Sequence, residues 1–215
     1  MNDVFKKLII RENTLDEYIC NEIISSYGHL QFENNIIMDV GACFGAFTYY
    51  ALLKDCKFIY SYEPVVENYE LLVENTKEYD NIQCRNVALV KANQFENKIL
   101  FYPGSGKNKG IGSFVKYRGR EEIVVNSIDF YDELNRIKPD IIKMDIEGGE
   151  YSLISEPLPS FVKEFVVELH LNRKIWRTVE AKRIISYFNE TEWNIVKNPK
   201  ITKGNWTTLG SWVRL

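Results

Sequence analysis

Ionisable side chains collect at the ends of two apolar segments in the second half of the chain. Lys143, Asp145 and Glu147 alternate along the first segment, and Glu168 and His170 alternate along the second. Alternation places each set on one side of a β-strand. Because burying an unpaired charge costs several kcal/mol, such a cluster is typical of a site that binds a ligand or pairs internally. His170, with an ordinary pKa of about 6.5, is the natural general base, and Asp145 is the alternative.

A turn with two glycines in the first quarter of the chain predicts a ligand-binding site. Residues 36–40 form a mostly apolar strand, and Gly41 and Gly45 let the backbone approach a ligand before a helix presents its unpaired N–H groups. Glu63 closes the next apolar strand, where an acid can accept hydrogen bonds from both ribose hydroxyls. The G-x-x-x-G spacing lacks the third glycine that cradles a pyrophosphate, so we expect a nucleoside ligand without a diphosphate.

Three motifs taken together resemble one enzyme family. The run Asp39-Val40-Gly41-Ala42, the acid Glu63 before a proline, and the segment 143–150 (Lys-Met-Asp-Ile-Glu-Gly-Gly-Glu) are similar to the FkbM-like methyltransferases over about residues 33–171. Gly149 stands where many members have alanine. The resemblance implies a class I methyltransferase fold, S-adenosylmethionine as methyl donor and S-adenosylhomocysteine as product. It also implies O-methylation, and we expect the acceptor to be a sugar hydroxyl of a glycan or glycolipid, or another small hydroxyl compound.

The resemblance also assigns roles to residues of this chain. The expected donor-binding residues are Asp39, Gly41, Ala42, Gly45, Glu63, Asn86, Val87, Ala88 and Asp145. His170 and Asp145 are expected to be catalytic. The expected acceptor-binding residues are Glu147, Glu168, Lys107, Lys109 and Ser113, although Glu147 could instead cap the following helix. The three residues from 107 to 113 belong to a glycine-rich stretch that is either a solvated loop or a basic lid.

Other activities stay open at this point. Asp145, Glu168 and His170 could ligate a divalent cation that acidifies the acceptor hydroxyl, but their spacing does not demand one, and we predict no resident metal. An RNA ribose methyltransferase and a non-catalytic nucleotide-binding scaffold are the alternative functions. An oxidoreductase is the least supported, because the pyrophosphate glycines are missing.

Composition limits the class of protein. The chain has 215 residues, 45% of them hydrophobic, which suits one methyltransferase domain, either complete or part of a longer protein. A formal charge of −3 argues against nucleic acid as a partner. The four cysteines form no C-x-x-C pair, so neither a zinc site nor a redox dithiol is indicated. No apolar run is long enough for a membrane span and no secretory signal is evident, so we expect a cytoplasmic protein of undetermined oligomeric state.

Strand and helix patterns alternate along most of the chain. They predict an α/β fold with a doubly wound, mostly parallel seven-stranded sheet that has one antiparallel strand near the C-terminus. Residues 1–32 are expected to form a helical extension whose helix starts at a capping box beginning at Thr14. Residues 82–89 are expected to form the third strand, and residues 91–120 a loop or hairpin insertion near the acceptor site.

Overall fold

The computed structural model describes residues 3–91, 98–104, 106–108, 121–171, 175–201 and 206–215. The helices in these ranges are α1 (Asp16–Tyr27), α2 (Ala46–Leu52), α3 (Val66–Thr76), α4 (Phe130–Ile137), α5 (Glu150–Leu153) and α6 (Ile175–Glu190). The strands are β1 (Ile36–Val40), β2 (Phe58–Tyr62), β3 (Ile82–Arg85), β4 (Ala88–Val90), β5 (Lys98–Phe101), β6 (Ile123–Asp129), β7 (Ile141–Met144), β8 (Glu164–His170), β9 (Trp193–Lys197) and β10 (Thr207–Arg214).

The main sheet has seven strands in the order β3-β2-β1-β7-β8-β10-β9. Pairing is parallel from β3 to β8, and β10 runs antiparallel to both of its neighbours. This confirms the predicted doubly wound, mostly parallel sheet. The strand order reverses direction at β1, which lies between β2 and β7, and open α/β sheets bind ligands beyond the carboxyl ends of the strands at such a point.

The central strands are apolar on both faces. Ile37 and Ile141 pack into the core cluster on one side of the sheet, whereas their neighbours Met38 and Ile142 pack into the cluster on the other side. A parallel sheet covered by helices on both faces requires this pattern, which explains why these strands read as continuous apolar runs. None of the described helices has the length and apolar character needed to cross a membrane.

The prediction of one strand over residues 82–89 is wrong. The chain leaves the main sheet after Arg85 and re-enters a smaller sheet at Ala88, in the order β4-β6-β5. The cause is the Asn86 side chain, whose Nδ2 donates to the backbone oxygens of Glu63 (2.9 Å) and Pro64 (3.0 Å) and turns the chain away. Within the expected insertion, β5 pairs antiparallel with β6 as a hairpin would, but residues 92–97, 105 and 109–120 lie outside the described residues.

The predicted capping box at Thr14 is also wrong. Helix α1 begins at Asp16 with Leu15 at its N-cap, and no side chain caps it there. Thr14 Oγ1 instead accepts from the Asp16 backbone N–H at 3.2 Å. The Asp16 carboxylate is fully buried and binds Arg11, so it is not available to solvent as a first-turn acid would normally be.

Candidate functional site

A cavity of about 610 Å³ opens at the carboxyl ends of the parallel strands. Its floor is the turn after β1, the end of β2 and residues 87–89, and the ends of β7 and β8 form one side. Residues of α1 and of the start of β10 complete the wall. The sequence-predicted residues that line the cavity are Gly41, Ala42, Glu63, Val87, Ala88, Asp145, Glu147, Glu168 and His170.

The two glycines of the turn are required by packing. Gly41 has φ +81°, and a Cβ there would lie 2.0 Å from the carbonyl oxygen of Asp145. Gly45 has φ +91°, and a Cβ there would lie 2.8 Å from Cδ1 of Leu72. Both angles lie in the left-handed region that favours glycine. The turn therefore lies against the end of β7, which brings the two predicted halves of the site together.

Glu63 is the acid that faces this turn. It is 5% exposed, and its Oε2 accepts from the Cys43 backbone N–H at 2.9 Å while its Oε1 accepts from the Val65 N–H at 2.9 Å. Asn68 Nδ2 lies 3.4 Å from the same Oε1. Burial raises the pKa of Glu63 to about 7, although these hydrogen bonds and the charge of Lys143 act in the opposite direction.

Asp39 supports the turn from below and does not line the cavity in the structure. It is fully buried, and its Oδ2 accepts from Thr48 Oγ1 at 2.7 Å. Lys143 Nζ lies 3.2 Å from Asp39 Oδ1 and donates to the Gly41 carbonyl at 2.8 Å. Burial lowers the pKa of Lys143, but the charges of Asp39 and Asp145 outweigh it and the pKa is raised. Lys143 is thus a buried cation that ties the glycine turn to β7.

His170 lies in a ring of carboxylates. Its Nδ1 is 2.5 Å from Glu150 Oε1, and its Nε2 is 3.3 Å from Glu147 Oε2 and 3.8 Å from Asp145 Oδ1. Burial lowers the pKa of His170, which is 3% exposed, but the charges of Glu150 and Glu147 raise it well above 6.5. With carboxylates at both ring nitrogens, His170 is held as an imidazolium.

Glu150 is a site residue that the predicted set lacked. It is fully buried at the start of α5, directly after the Gly148-Gly149 pair. The sequence signal was the third acid of the 143–150 run, but only the fold shows that it faces His170. Strand alternation also fails here, because β7 ends at Met144 and Glu147 has φ +55°, in a turn.

Glu168 completes the cluster. Burial and the charge of Asp145 raise the pKa of Glu168 to about 7, while His170 acts in the opposite direction. One ligand atom from each of Asp145, Glu168 and His170 lies within 4.8 Å of the others. Two carboxylates and an imidazole form a donor set that fits a divalent cation.

The remaining predicted residues lie away from the cavity lining or outside the described chain. Asn86 binds the backbone of the β2 end instead. Lys107 has an exposed side chain, and its backbone carbonyl accepts from the Leu15 N–H at 3.1 Å, next to α1. Lys109 and Ser113 are outside the described residues. The lining residues that sequence reasoning missed include Tyr18, Glu22 and Tyr27 of α1 and residues 206–209. Helical periodicity indicates that one face of α1 is buried, but not which cavity that face lines.

Known structures share this fold at low identity. The FkbM methyltransferase from Methylobacillus flagellatus KT is 19% identical with a TM-score of 0.52, over 86% of this chain and 45% of that one. The fibrillarin/Nop5p complex is 16% identical with a TM-score of 0.53, over 90% and 79% of the two chains. Precorrin 8w decarboxylase from Methanobacterium thermoautotrophicum is 13% identical with a TM-score of 0.50, over 97% of both chains. At these identities the similarity shows the fold.

Sequence comparison defines the family. No curated protein matches the chain. The methyltransferase FkbM domain, however, matches residues 39–193, which include the glycine turn, Glu63 and the whole cluster around His170. Because this match spans more than half of the 215 residues, the chain belongs to the FkbM methyltransferase family.

Proposed function

We propose that this protein transfers a methyl group from S-adenosylmethionine to a hydroxyl of a sugar in a glycan or glycolipid. The observation that carries the proposal is that one cavity is lined both by Glu63 with its glycine turn and by the cluster around His170. The first is suited to hold an adenosine, and the second is suited to receive a hydroxyl. A donor and an acceptor can therefore meet in one cavity.

We assign the donor half of the cavity to an adenosine without a diphosphate. Glu63 would bind the ribose hydroxyls, and Gly41 and Ala42 would lie beneath the donor. Val87 and Ala88 would flank the adenine, and Asp145 would approach the methionine portion. Asp39 and Gly45 would contribute by holding the turn, and Asn86 by holding the end of β2.

The reaction is an in-line displacement. The acceptor oxygen forms a bond to the methyl carbon, the carbon–sulfur bond breaks with its electrons going to sulfur, and S-adenosylhomocysteine leaves. Aligning these three atoms is worth roughly 7–11 kcal/mol. The acceptor proton must also be removed, and His170 with Asp145, whose Oδ1 lies 3.8 Å from Nε2, are the groups placed for it. When bound, the positively charged donor would favour release of the Nε2 proton to solvent, which would leave His170 neutral and able to accept the proton of the acceptor hydroxyl.

A divalent cation is not needed for this scheme. Asp145, Glu168 and His170 would hold one, and it would acidify the acceptor hydroxyl. Lys143 Nζ lies 4.0 Å and His170 Nε2 lies 3.8 Å from Asp145, so this carboxylate already has two nitrogen partners, and we assign no step to a metal.

The charge of the cavity supports an uncharged acceptor. More acids than bases line it, so a phosphate-bearing acceptor is disfavoured: the acids are Glu22, Glu63, Asp145, Glu147 and Glu168, and the bases are Lys143 and His170. This favours a carbohydrate over the RNA ribose alternative.

Calorimetric titration and a turnover assay test the proposal. We expect S-adenosylhomocysteine to bind and NAD not to bind. We also expect donor consumption with a panel of neutral glycans, and its loss in His170→Ala and Asp145→Asn. Binding without turnover on any glycan would favour the scaffold alternative, and turnover only on RNA would favour the ribose alternative. Indifference to both cofactors would refute the donor assignment.

A further inference from the structure

Arg11 connects the N-terminal segment to the donor side of the cavity. Its guanidinium makes a two-point contact with Asp16, with Nε 2.8 Å from Oδ2 and Nη2 2.9 Å from Oδ1. The Arg11 backbone N–H also donates to Oδ2 at 3.0 Å. Paired, planar contacts of this kind fix the guanidinium in one orientation. Both residues precede the region matched by the family domain, which begins at residue 39.

The remaining nitrogen of Arg11 reaches the neighbourhood of Glu63. Nη1 donates to Oδ1 of Asn68 at 2.6 Å, and Asn68 is 2% exposed. Because a guanidinium can only donate, this contact assigns the oxygen of the Asn68 amide to Arg11 and turns its Nδ2 towards Glu63 Oε1, 3.4 Å away. The amide is thus oriented by one neighbour to donate to the other.

The same guanidinium lies against the glycine turn. Nη2 is 4.0 Å from Cys43 Sγ, and the guanidinium carbon is 5.8 Å from the centre of the Phe44 ring. Cys43 is also the residue whose backbone N–H binds Oε2 of Glu63. Arg11 therefore contacts Cys43 and Asn68, two of the three residues that bind the oxygens of Glu63. The third contact comes from the Val65 backbone N–H.

We propose that Arg11 is a positioning residue of the donor site, which acts through Asn68 to hold Glu63 in the orientation that binds the ribose hydroxyls. The proposal rests on the proposed function, since it takes an adenosine donor as the ligand. It extends the donor site beyond the family domain, into the segment that leads to α1. Tyr18 and Glu22 of α1 line the same cavity, so this segment also supplies part of its wall.

Calorimetry with two ligands tests the proposal in the full chain. We expect Arg11→Ala to weaken S-adenosylhomocysteine binding about tenfold, as the loss of one well-oriented hydrogen bond would. The 2′,3′-dideoxy analogue of S-adenosylhomocysteine offers Glu63 no hydroxyl, so it should bind Arg11→Ala and the wild type equally. The double variant Arg11→Ala/Asn68→Ala should bind S-adenosylhomocysteine no more weakly than Asn68→Ala alone, because Arg11 acts through Asn68. Lys6→Ala, which removes an exposed ion pair with Asp3 in the same segment, is the matched control and should change neither affinity.

Asn68→Asp keeps the proposal testable if Arg11→Ala fails to fold. It preserves the oxygen that accepts from Arg11 and replaces the donor that faces Glu63 by a carboxylate, so S-adenosylhomocysteine affinity should fall while the dideoxy analogue keeps its affinity. Equal losses for both ligands, or none, would overturn the role of Arg11. Failure of the wild type to bind S-adenosylhomocysteine at all would instead overturn the proposed function.

Discussion

Replacing Glu150 by glutamine is expected to lower the pKa of His170 by about one unit. The substitution keeps an oxygen acceptor 2.5 Å from Nδ1 but removes the negative charge that, with Glu147, raises this pKa. A hydrogen bond to a charged group is worth about 1.5–3 kcal/mol and a neutral one about 0.5–1.5 kcal/mol. The difference of about 1–1.5 kcal/mol corresponds to about one pKa unit at 1.36 kcal/mol per unit.

Two histidines make the measurement simple. The chain contains only His29 and His170, and the two pKa values shift in opposite directions, because burial lowers that of His29. An NMR pH titration of the ring protons therefore resolves them, with His29 as an internal reference. Glu180→Gln removes an exposed carboxylate paired with Arg183 and is the control.

The same variant has a consequence for stability. The folded pKa of His170 lies above its unfolded value, so its contribution to stability is fully present below about pH 6.5 and is lost as pH rises through the folded pKa. Denaturant unfolding across that window should show a smaller fall in Glu150→Gln than in the wild type. An unchanged or higher His170 pKa in Glu150→Gln would refute the assignment of Glu150 as its partner.

Three further outcomes are expected. Gly41→Ala should lower the free energy of unfolding more than Gly106→Ala, as measured by urea unfolding of the two variants. Both glycines have positive φ, but only at Gly41 would an added Cβ meet the backbone, 2.0 Å from the Asp145 carbonyl oxygen. S-adenosylhomocysteine affinity should rise as pH increases through about 7, because the ionised Glu63 is the better acceptor for ribose hydroxyls, and Glu63→Gln should remove that part of the pH dependence in calorimetry. Trp212→Ala should destabilise the fold by about 3–5 kcal/mol in urea, since this fully buried ring stacks 4.8 Å from Phe188, and a loss below 1 kcal/mol would contradict the packing.

The sheet was predictable from the sequence because its central strands must be apolar on both faces. The apolar runs around Met38, Ile59, Ile142 and Val166 predict strands that are buried on both faces. The helices that alternate with these strands then predict a parallel sheet. The polar ends of these strands likewise predicted where the cavity would lie. Apolar runs and polar strand ends are both local sequence patterns, so they can be recognised without knowing any tertiary contact.

Contacts between distant segments were not predictable. The split between β3 and β4 depends on Asn86 binding the backbone of another strand end. The pairing of Glu150 with His170 spans 20 residues and two elements, and the contact between Arg11 and Asn68 spans 57. In each case the sequence shows the polar residue but not its partner, which only the tertiary fold supplies.

The two walls supplied by α1 and by the start of β10 lie outside residues 39–193, whereas the turn, Glu63 and the cluster around His170 lie within them. Changes in these two walls therefore leave the residues of the matched domain in place. A library that randomises Tyr18, Glu22 and Trp206 leaves every residue at the ends of β1, β2, β7 and β8 intact. Under the proposed function, these are the first positions to vary in order to change the acceptor.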